Sequence, residues 1–482
     1  CLHYAWPARH SNIETAMMGT AEKRKMPGQR AGILGLGVSG WAAVKFLVAE
    51  GIEVSVSDSR TFEELSPMDR DYLLENKISF EGGGHSEEFL AVNDFLFVSP
   101  GIPTDLPLLK KMEEGGIPLL GELALAAPYL TERVVAVTGT NGKTTVTALI
   151  GELLAASGRK VFVGGNIGTP LLDYLRGRQR VDYLVLELSS FQLELAGDFA
   201  PHIGVLLNIS PDHLDRHGSM EEYAAAKMKI FAGQGKGDKA IICDDELLLS
   251  RVRKQLSGQE LYCFGDAGSD CAARGSGSSF SVSLKAEREE SYSLSGTRLD
   301  SHTGRLNSEA AVLVASLLGC DRGAIEKGLH TFSPAAHRLQ YVGEIGGVEF
   351  YDDSKATNTG AVLSALASFS GNIILLAGGR EKGEDFAVLK ESVREKVKEC
   401  IVIGEAADAI ASALGDITSI RRADSMAGAV DLAVSLATPG DVVLLAPGCS
   451  SFDMFANYGQ RGEVFTQAVM GLGELTGERV PQ

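Results

Sequence analysis

Residues Val134 to Thr147 read VVAVTGTNGKTTVT. Val134 to Val137 form an apolar run of the kind a buried parallel strand needs. Gly139, Thr140, Asn141 and Gly142 then predict a tight turn, and Lys143, Thr144 and Thr145 open a helix that stays apolar to about Leu154. This order of elements suits a polyphosphate: backbone N–H groups point inward, the helix N-terminus favours an anion, and the lysine neutralises charge between phosphates. The Thr144 hydroxyl falls where a Mg²⁺ ligand is wanted. The strict loop pattern asks for glycine five places before Gly142, where this chain has Val137, so the generic motif is met only in part. The plain alternative is a chance Gly-Lys-Thr turn, and the strand and helix on either side weigh against it.

At 482 residues the chain is too long for one core, and two to four domains are expected. A net charge of −18 argues against nucleic-acid partners and anionic membrane surfaces. No apolar run reaches the ~20 residues that span a bilayer, so no membrane insertion is expected. Seven scattered cysteines without a CxxC pair read as reduced thiols of a cytoplasmic protein, with no zinc site. Residues 1–28 lack the apolar core of a signal peptide. They read as a disordered or extraneous leader, with Met18 and Met26 as candidate starts.

Two further alternating segments flank the phosphate loop. The strand Ala31 to Leu34 runs into Gly35-Leu-Gly37-Val38-Ser39-Gly40, a helix from Trp41 to about Glu50, and a strand Glu53 to Ser57 ending at Asp58. This is a dinucleotide-type fingerprint, with glycines for close approach to a pyrophosphate and an acid for a ribose hydroxyl. Alone it suggests NAD, but the same turn can hold any nucleotide diphosphate. After the loop come a glycine-rich turn around Asn166, a strand ending at Glu187, and a strand ending in NISPDHLDRH, from Asn208 to His217. An acid at a strand's carboxyl end lies on the ligand edge of a parallel sheet, so Glu187 reads as a metal ligand before a helix-capping acid. Gly265 to Ser283 reads as mobile connections between short strands, and Asp321 as a helix cap. Beyond Pro334, strands at Val348 to Tyr351, Ile373 to Ala377, Cys400 to Ile403 and Val442 to Leu445 alternate with helices. They predict a largely parallel sheet, with the turns at 378–383 and 449–453 on one ligand edge. The domains are expected at 29–128, 129–334 and 335–482.

Taken together, GLGVSG, SPGI, GTNGKTT, GGNIG, ELSSFQLE, NISPDHLDRH, Ala225-Ala-Lys227, HRLQ, YDDSKATN, LLAGG and PGCSSFDMF with a later QRG resemble the Mur ligases of peptidoglycan synthesis, in order, from about Gly32 to the C-terminus. The likeness is to the D-glutamate-adding branch. The resemblance implies α/β architecture in three domains: a Rossmann-like N-terminal domain for UDP, a central P-loop-type mononucleotide-binding domain for ATP, and a C-terminal Rossmann-like domain for the amino acid. It implies an ATP-dependent amide ligase that adds D-glutamate to UDP-N-acetylmuramoyl-L-alanine through an acyl phosphate, acting in the cytoplasm as a monomer.

Residue by residue, the resemblance gives Gly139, Thr140, Asn141, Gly142, Lys143, Thr144, Thr145, Asn307, Arg338 and Asp353 to ATP. It gives Gly37, Val38, Ser39, Asp58, Ser59, Arg60, Asn166 and Ser189 to the UDP substrate, and Lys355, Thr357, Lys382, Ser451, Phe452 and Tyr458 to D-glutamate. Two Mg²⁺ ions are implied, one on Thr144 and Glu187, the other on His213 and Lys227. An ammonium cannot ligate a cation, and the resemblance implies that Lys227 is carbamylated by CO₂ into an oxygen ligand. Lys143, His213 and Lys227 are the expected catalytic set.

The chain departs from the family pattern at Thr303-Gly304, where a His-Asn pair is usual, at Arg380, where an acid is common, and at Tyr458, where Phe is frequent. Other readings stay open at this point. They are another amino-acid-adding Mur ligase or a folylpolyglutamate synthase, an NAD-dependent oxidoreductase built on Gly35, Gly37, Gly40 and Asp58, and a non-catalytic nucleotide-binding protein.

Overall fold

The computed structural model describes residues 26–177, 179–256, 258–266, 270–284, 289–381 and 383–476. Residues 1–25 of the leader and Lys382 therefore lie outside the described residues. Two compact units emerge, the first ending its main run at Glu132 and also holding Gly168–Arg180 and Phe191–Phe199.

The first unit is built on strands β1 (Arg30–Leu34), β2 (Glu53–Asp58), β3 (Ser79–Gly82), β4 (Phe95–Val98) and β5 (Leu119–Leu120). They form one parallel sheet in the order 3-2-1-4-5. The chain steps outward from β1 on one side, then crosses to the other. The crevice at that reversal lies over the carboxyl end of β1 and the start of the helix Val38–Ala49. β3 and β5 escaped the sequence reading. β3 has no fully buried residue and β5 only two residues, so neither carries a hydrophobic period.

The second unit carries two sheets. Its larger sheet contains β6 (Arg133–Thr138), β7 (Val161–Gly165), β8 (Tyr183–Glu187), β9 (Ile203–Leu206), β10 (Lys239–Cys243), β11 (Glu260–Asp266), β12 (Ala273–Ser276), β13 (Ser279–Val282) and β14 (Glu290–Ser293). Their order is 14-13-12-11-10-9-6-8-7, and only the β12–β13–β14 edge is antiparallel. The Gly/Ser-rich stretch read as connections is thus a small meander. Its alternate residues Ala273, Phe280, Val282 and Tyr292 reach the core that also holds Val146, Leu149, Ile150 and Leu153. β6 is an inner strand. It places Val137 opposite both Glu187 of β8 and Val205 of β9, which aligns three strand ends on one edge.

The smaller sheet contains β15 (Gln340–Ile345), β16 (Val348–Asp352), β17 (Ile373–Gly378), β18 (Val397–Ile403), β19 (Ser419–Arg422) and β20 (Val442–Leu445), in the order 15-16-20-17-18-19. All neighbours but β15–β16 run parallel, as the alternation of strands and helices predicts. Both sheet faces are covered, one by a cluster with Val362, Leu366 and Phe386, the other by one with Val430, Phe465 and Val469. Leu445 lies opposite both Asp352 and Leu376, so the ends of β16, β20 and β17 stand side by side. Helix starts are set locally: Ser219, Ser301, Asp321 and Asn358 each accept a backbone N–H three residues on.

Cys263 and Cys271 are joined by a disulfide, which corrects the expectation that all the thiols are reduced. The two lie on β11 and just before its parallel neighbour β12, with their Cα atoms 4.8 Å apart. Strand pairing brings them together, and a spacing of eight residues gives no motif for it. Among the described residues, no helix is long and apolar enough to cross a membrane.

Candidate active site

The phosphate loop is held from beneath by a residue the sequence reading passed over. Asn208, just beyond β9, accepts from the Asn141 N–H at 2.8 Å and donates to the Asn141 carbonyl at 3.1 Å. The Thr140 N–H bonds the Asn208 carbonyl. Thr140 Oγ1 accepts from the Ser210 N–H and pairs with the Tyr223 hydroxyl. The loop is therefore pinned to the segment after β9 before any ligand arrives. Gly142 caps the helix Lys143–Ala156 at φ 81°, a left-handed conformation costly for other residues. A Cβ there would also lie 2.5 Å from Oδ1 of Asn307, so the predicted ATP contact Asn307 sits directly on the loop. Thr145 is buried in the first helical turn.

Two lysines converge on one carbonyl. Lys143 Nζ donates to Gly139 O at 2.9 Å and to Thr140 O at 2.7 Å, and Lys227 Nζ donates to the same Gly139 O at 2.9 Å. Lys227 is 2% exposed and its ammonium lies 4.6 Å from the centre of the Tyr223 ring. Burial, reinforced by the neighbouring Lys143, drives the Lys227 pKa well below the ordinary lysine value. Burial lowers that of Lys143 too, against the opposing pull of Glu187 and Asp212.

Buried oxygens face this cationic cluster. Glu187 Oε1 accepts from Asn166 at 2.9 Å, while its Oε2 is buried without a partner among the described residues. Asp212 accepts from Asn358 at 3.1 Å through Oδ2, and its Oδ1 is likewise buried and unpartnered. Such orphaned oxygens are expensive unless something else engages them. Asp212 was quoted in the sequence only as part of a polar cluster, without a role. His213 lies at φ 54°, its Nε2 3.7 Å from Asp212 Oδ2. Ser189 follows β8 in the turn before Ser190, whose hydroxyl meets His217 Nε2 at 2.9 Å. No three His, Cys, Asp or Glu side chains converge as a metal cage among the described residues.

The smaller sheet reaches the loop through Arg338, whose Nη2 donates to Thr144 Oγ1 at 2.6 Å. The turn presenting Arg338 is anchored by His337, whose Nδ1 meets buried Asp352 at 2.7 Å; this partner raises the His337 pKa. Burial pushes the carboxyl of the predicted ATP contact Asp353 up to about 7, against the nearby Arg338. Asn358 joins the same seam, lying 3.4 Å from Asn141. The turns at 378 and 449 are bonded to each other, Arg380 N to Ser450 O at 2.8 Å and Ser450 N to Arg380 O at 3.2 Å. The Arg380 guanidinium, standing where an acid is common, turns aside to Glu405. Lys355 lies 3.9 Å from the centre of the Tyr458 ring, Thr357 N bonds Lys355 O, Ser451 is buried, and Phe452 is 61% exposed.

A cavity of about 240 Å³ opens beside the loop. Asn141, Gly142, Asn208, Asn307, Asp244 and Thr303 are among its lining residues. Thr303, one of the departures, pairs with the Ser364 hydroxyl at 2.6 Å.

In the first unit, Gly37 precedes the helix that carries exposed Val38 and half-buried Ser39. Asp58 is engaged by its own chain. It accepts from Leu36 N at 2.6 Å, Arg60 N at 2.9 Å, Arg60 Nε at 2.8 Å and Arg60 Nη2 at 3.1 Å. Four donors meet the carboxylate, three of them from Arg60, whose side chain is half-exposed, so Asp58 and Arg60 are held together as one pair. Exposed Ser59 and Arg60 sit at the rim. Hydrogen bonds from Arg60 and Leu36 outweigh desolvation and hold the Asp58 pKa at about 2. A depressed carboxyl contributes stability above its unfolded pKa, near 4, and loses it as pH falls through the folded value. The stability gap between the parent and Asp58→Asn in denaturant titrations should therefore close between about pH 4 and about 2.

Residues 29–121 match the Mur ligase MurD-like N-terminal domain, 137–304 the Mur ligase middle domain, and 337–449 the Mur ligase glutamate ligase domain. The UDP-N-acetylmuramoylalanine–D-glutamate ligase of Desulfotalea psychrophila is 49% identical over 444 residues, 92% of this chain and 96% of that one. The chain belongs to the Mur ligase family. A ligase of the same description from Syntrophotalea carbinolica is 40% identical, covering 92% of this Mur ligase and 98% of its relative. Solved structures share the fold. A pseudomurein peptide ligase type C from Methanothermus fervidus superposes at a TM-score of 0.59 with 18% identity, covering 92% and 100% of the two chains. A MurF ligase from Thermotoga maritima does so at 0.57 with 20% identity, covering 94% and 98%.

Proposed function

We propose that this Mur ligase joins D-glutamate to UDP-N-acetylmuramoyl-L-alanine, with ATP converted to ADP and phosphate, as a cytoplasmic monomer in peptidoglycan precursor synthesis that has no nucleic-acid partner. The observation that carries the reading is the pair Lys143 and Lys227 on one loop carbonyl. Lys143, the loop amides and Arg338 stabilise charge on the transferring phosphoryl group. The substrate carboxylate attacks the γ-phosphorus, ADP departs, and the D-glutamate amine then displaces phosphate from the acyl phosphate.

Burial depresses the Lys227 pKa and so favours the neutral amine, the form that adds CO₂ and loses a proton. The resulting carbamate is an oxygen donor. The unpartnered oxygens of Glu187 and Asp212 fit divalent cations. Thr144 and Glu187 would hold one Mg²⁺, and His213 and carbamylated Lys227 the other. Bound there, the cations screen the approach of two anions. Asn166 and Ser189 serve the muramoyl substrate, with Gly37, Val38, Ser39, Ser59 and Arg60 on the uridine diphosphate. Lys355, Thr357, Lys382, Ser451, Phe452 and Tyr458 serve D-glutamate, whose two carboxylates need cationic and hydroxyl partners.

Phosphate release with UDP-N-acetylmuramoyl-L-alanine and ATP should respond to D-glutamate and stay at background with L-alanine, L-lysine or L-glutamate. A stronger response to any of the three overturns the assignment.

A further inference from the structure

The last helix, Tyr458–Thr476, begins with a buried arginine that no site assignment uses. Arg461 is 1% exposed. Its Nε donates to Ser354 Oγ at 3.0 Å and its Nη2 to Ser354 O at 2.8 Å and Cys449 O at 3.1 Å. Its Nη1 donates to Ser450 O at 3.3 Å and Gly378 O at 3.4 Å. A guanidinium has five N–H groups, and here five oxygens receive them. All five oxygens are neutral. Burying a cation with no carboxylate among its hydrogen-bond partners is costly, and burial lowers the Arg461 pKa to about 10, against the pull of nearby Asp453 and Asp352, which leaves it charged at neutral pH.

The five acceptors sit at three strand ends: Ser354 after β16, Gly378 as the last residue of β17, and Cys449 and Ser450 after β20. Two of these segments carry a residue of the proposed amino-acid site: Lys355 follows Ser354, and Ser451 follows Ser450. The same helical turn touches the site twice more. The Tyr458 carbonyl accepts from Ser354 Oγ at 2.8 Å, and the Tyr458 ring lies under the Lys355 ammonium. Gly462 lets this turn close on the Arg338-bearing loop, since a Cβ there would lie 2.2 Å from His337 Nδ1 and 2.6 Å from Asp352 Oδ2.

We propose that Arg461 is a positioning residue for the incoming amino acid, fixing three strand ends in register so that Lys355 and Ser451 face one substrate. This rests on the reading that Lys355 and Ser451 hold D-glutamate. Lysine keeps the charge but has three donors in no fixed plane, so it cannot reproduce the five bonds that Arg461 makes.

Arg461→Lys should raise the KM for D-glutamate roughly tenfold or more, the loss expected when charge-assisted hydrogen bonds are broken. The KM values for ATP and for UDP-N-acetylmuramoyl-L-alanine should stay within about twofold. Ser354→Ala, which removes one side-chain acceptor, should raise the D-glutamate KM about threefold. An unchanged D-glutamate KM, or an equal rise in all three constants, overturns the proposal; if Arg461→Lys does not fold, Ser354→Ala decides by the same criterion. Lys355→Ala separates the two readings. If it leaves the D-glutamate KM unmoved, the amino-acid site is misplaced. If it raises that KM while Arg461→Lys does not, only the positioning role falls.

Discussion

Lys143→Ala should reduce ADP formation by about a thousandfold or more, the scale seen when a preorganised donor is removed from developing charge. The fold should persist. The helix that starts at Lys143 is held by buried Val146, Leu149, Ile150 and Leu153, and the loop keeps its bonds to Asn208 and Ser210. Thermal melting near the parent value together with lost turnover is the expected pair of results. Turnover within about tenfold of the parent would place the phosphates elsewhere.

Lys227→Ala should cost a comparable factor, on the order of a thousandfold, because one cation loses an oxygen ligand. Its distinguishing result is chemical rescue. The deleted side chain leaves a buried space beside Tyr223 and the Gly139 carbonyl. Formate or acetate supplied in the assay should enter it and restore part of the activity. Rescue by carboxylates but not by alkyl amines supports a carbamate. Rescue by amines alone would mean that Lys227 acts as a cation, and absence of any rescue would remove the carbamate from the account.

Both predictions rest on residues that were legible as types, while their mutual arrangement was not. Lys143 stood out because glycines and a helix start surround it. Lys227 did not stand out on its own setting, because most helix lysines are solvated, and only the family resemblance singled it out. Its burial comes from the helix Met220–Met228 lying against the loop, a contact made across 88 residues of chain. Asp212 and Asn208 were visible only as a polar run at a strand end. Their roles follow from register, since β9 pairs with β6 and carries them under the turn. Asp58 was legible as a strand-end acid, while its pairing with Arg60, two residues on, was not.

The sequence by itself determined the three alternating α/β segments, the phosphate loop and the family resemblance, because these depend on local periodicity and short ordered motifs that act within one strand–turn–helix. Only the tertiary structure decided which strand ends meet, which lysines share a carbonyl, where Cys263 and Cys271 pair, and that Arg461 gathers three strand ends. Those outcomes depend on strand order and burial, which are set by packing between residues far apart in the chain and leave no local period to read.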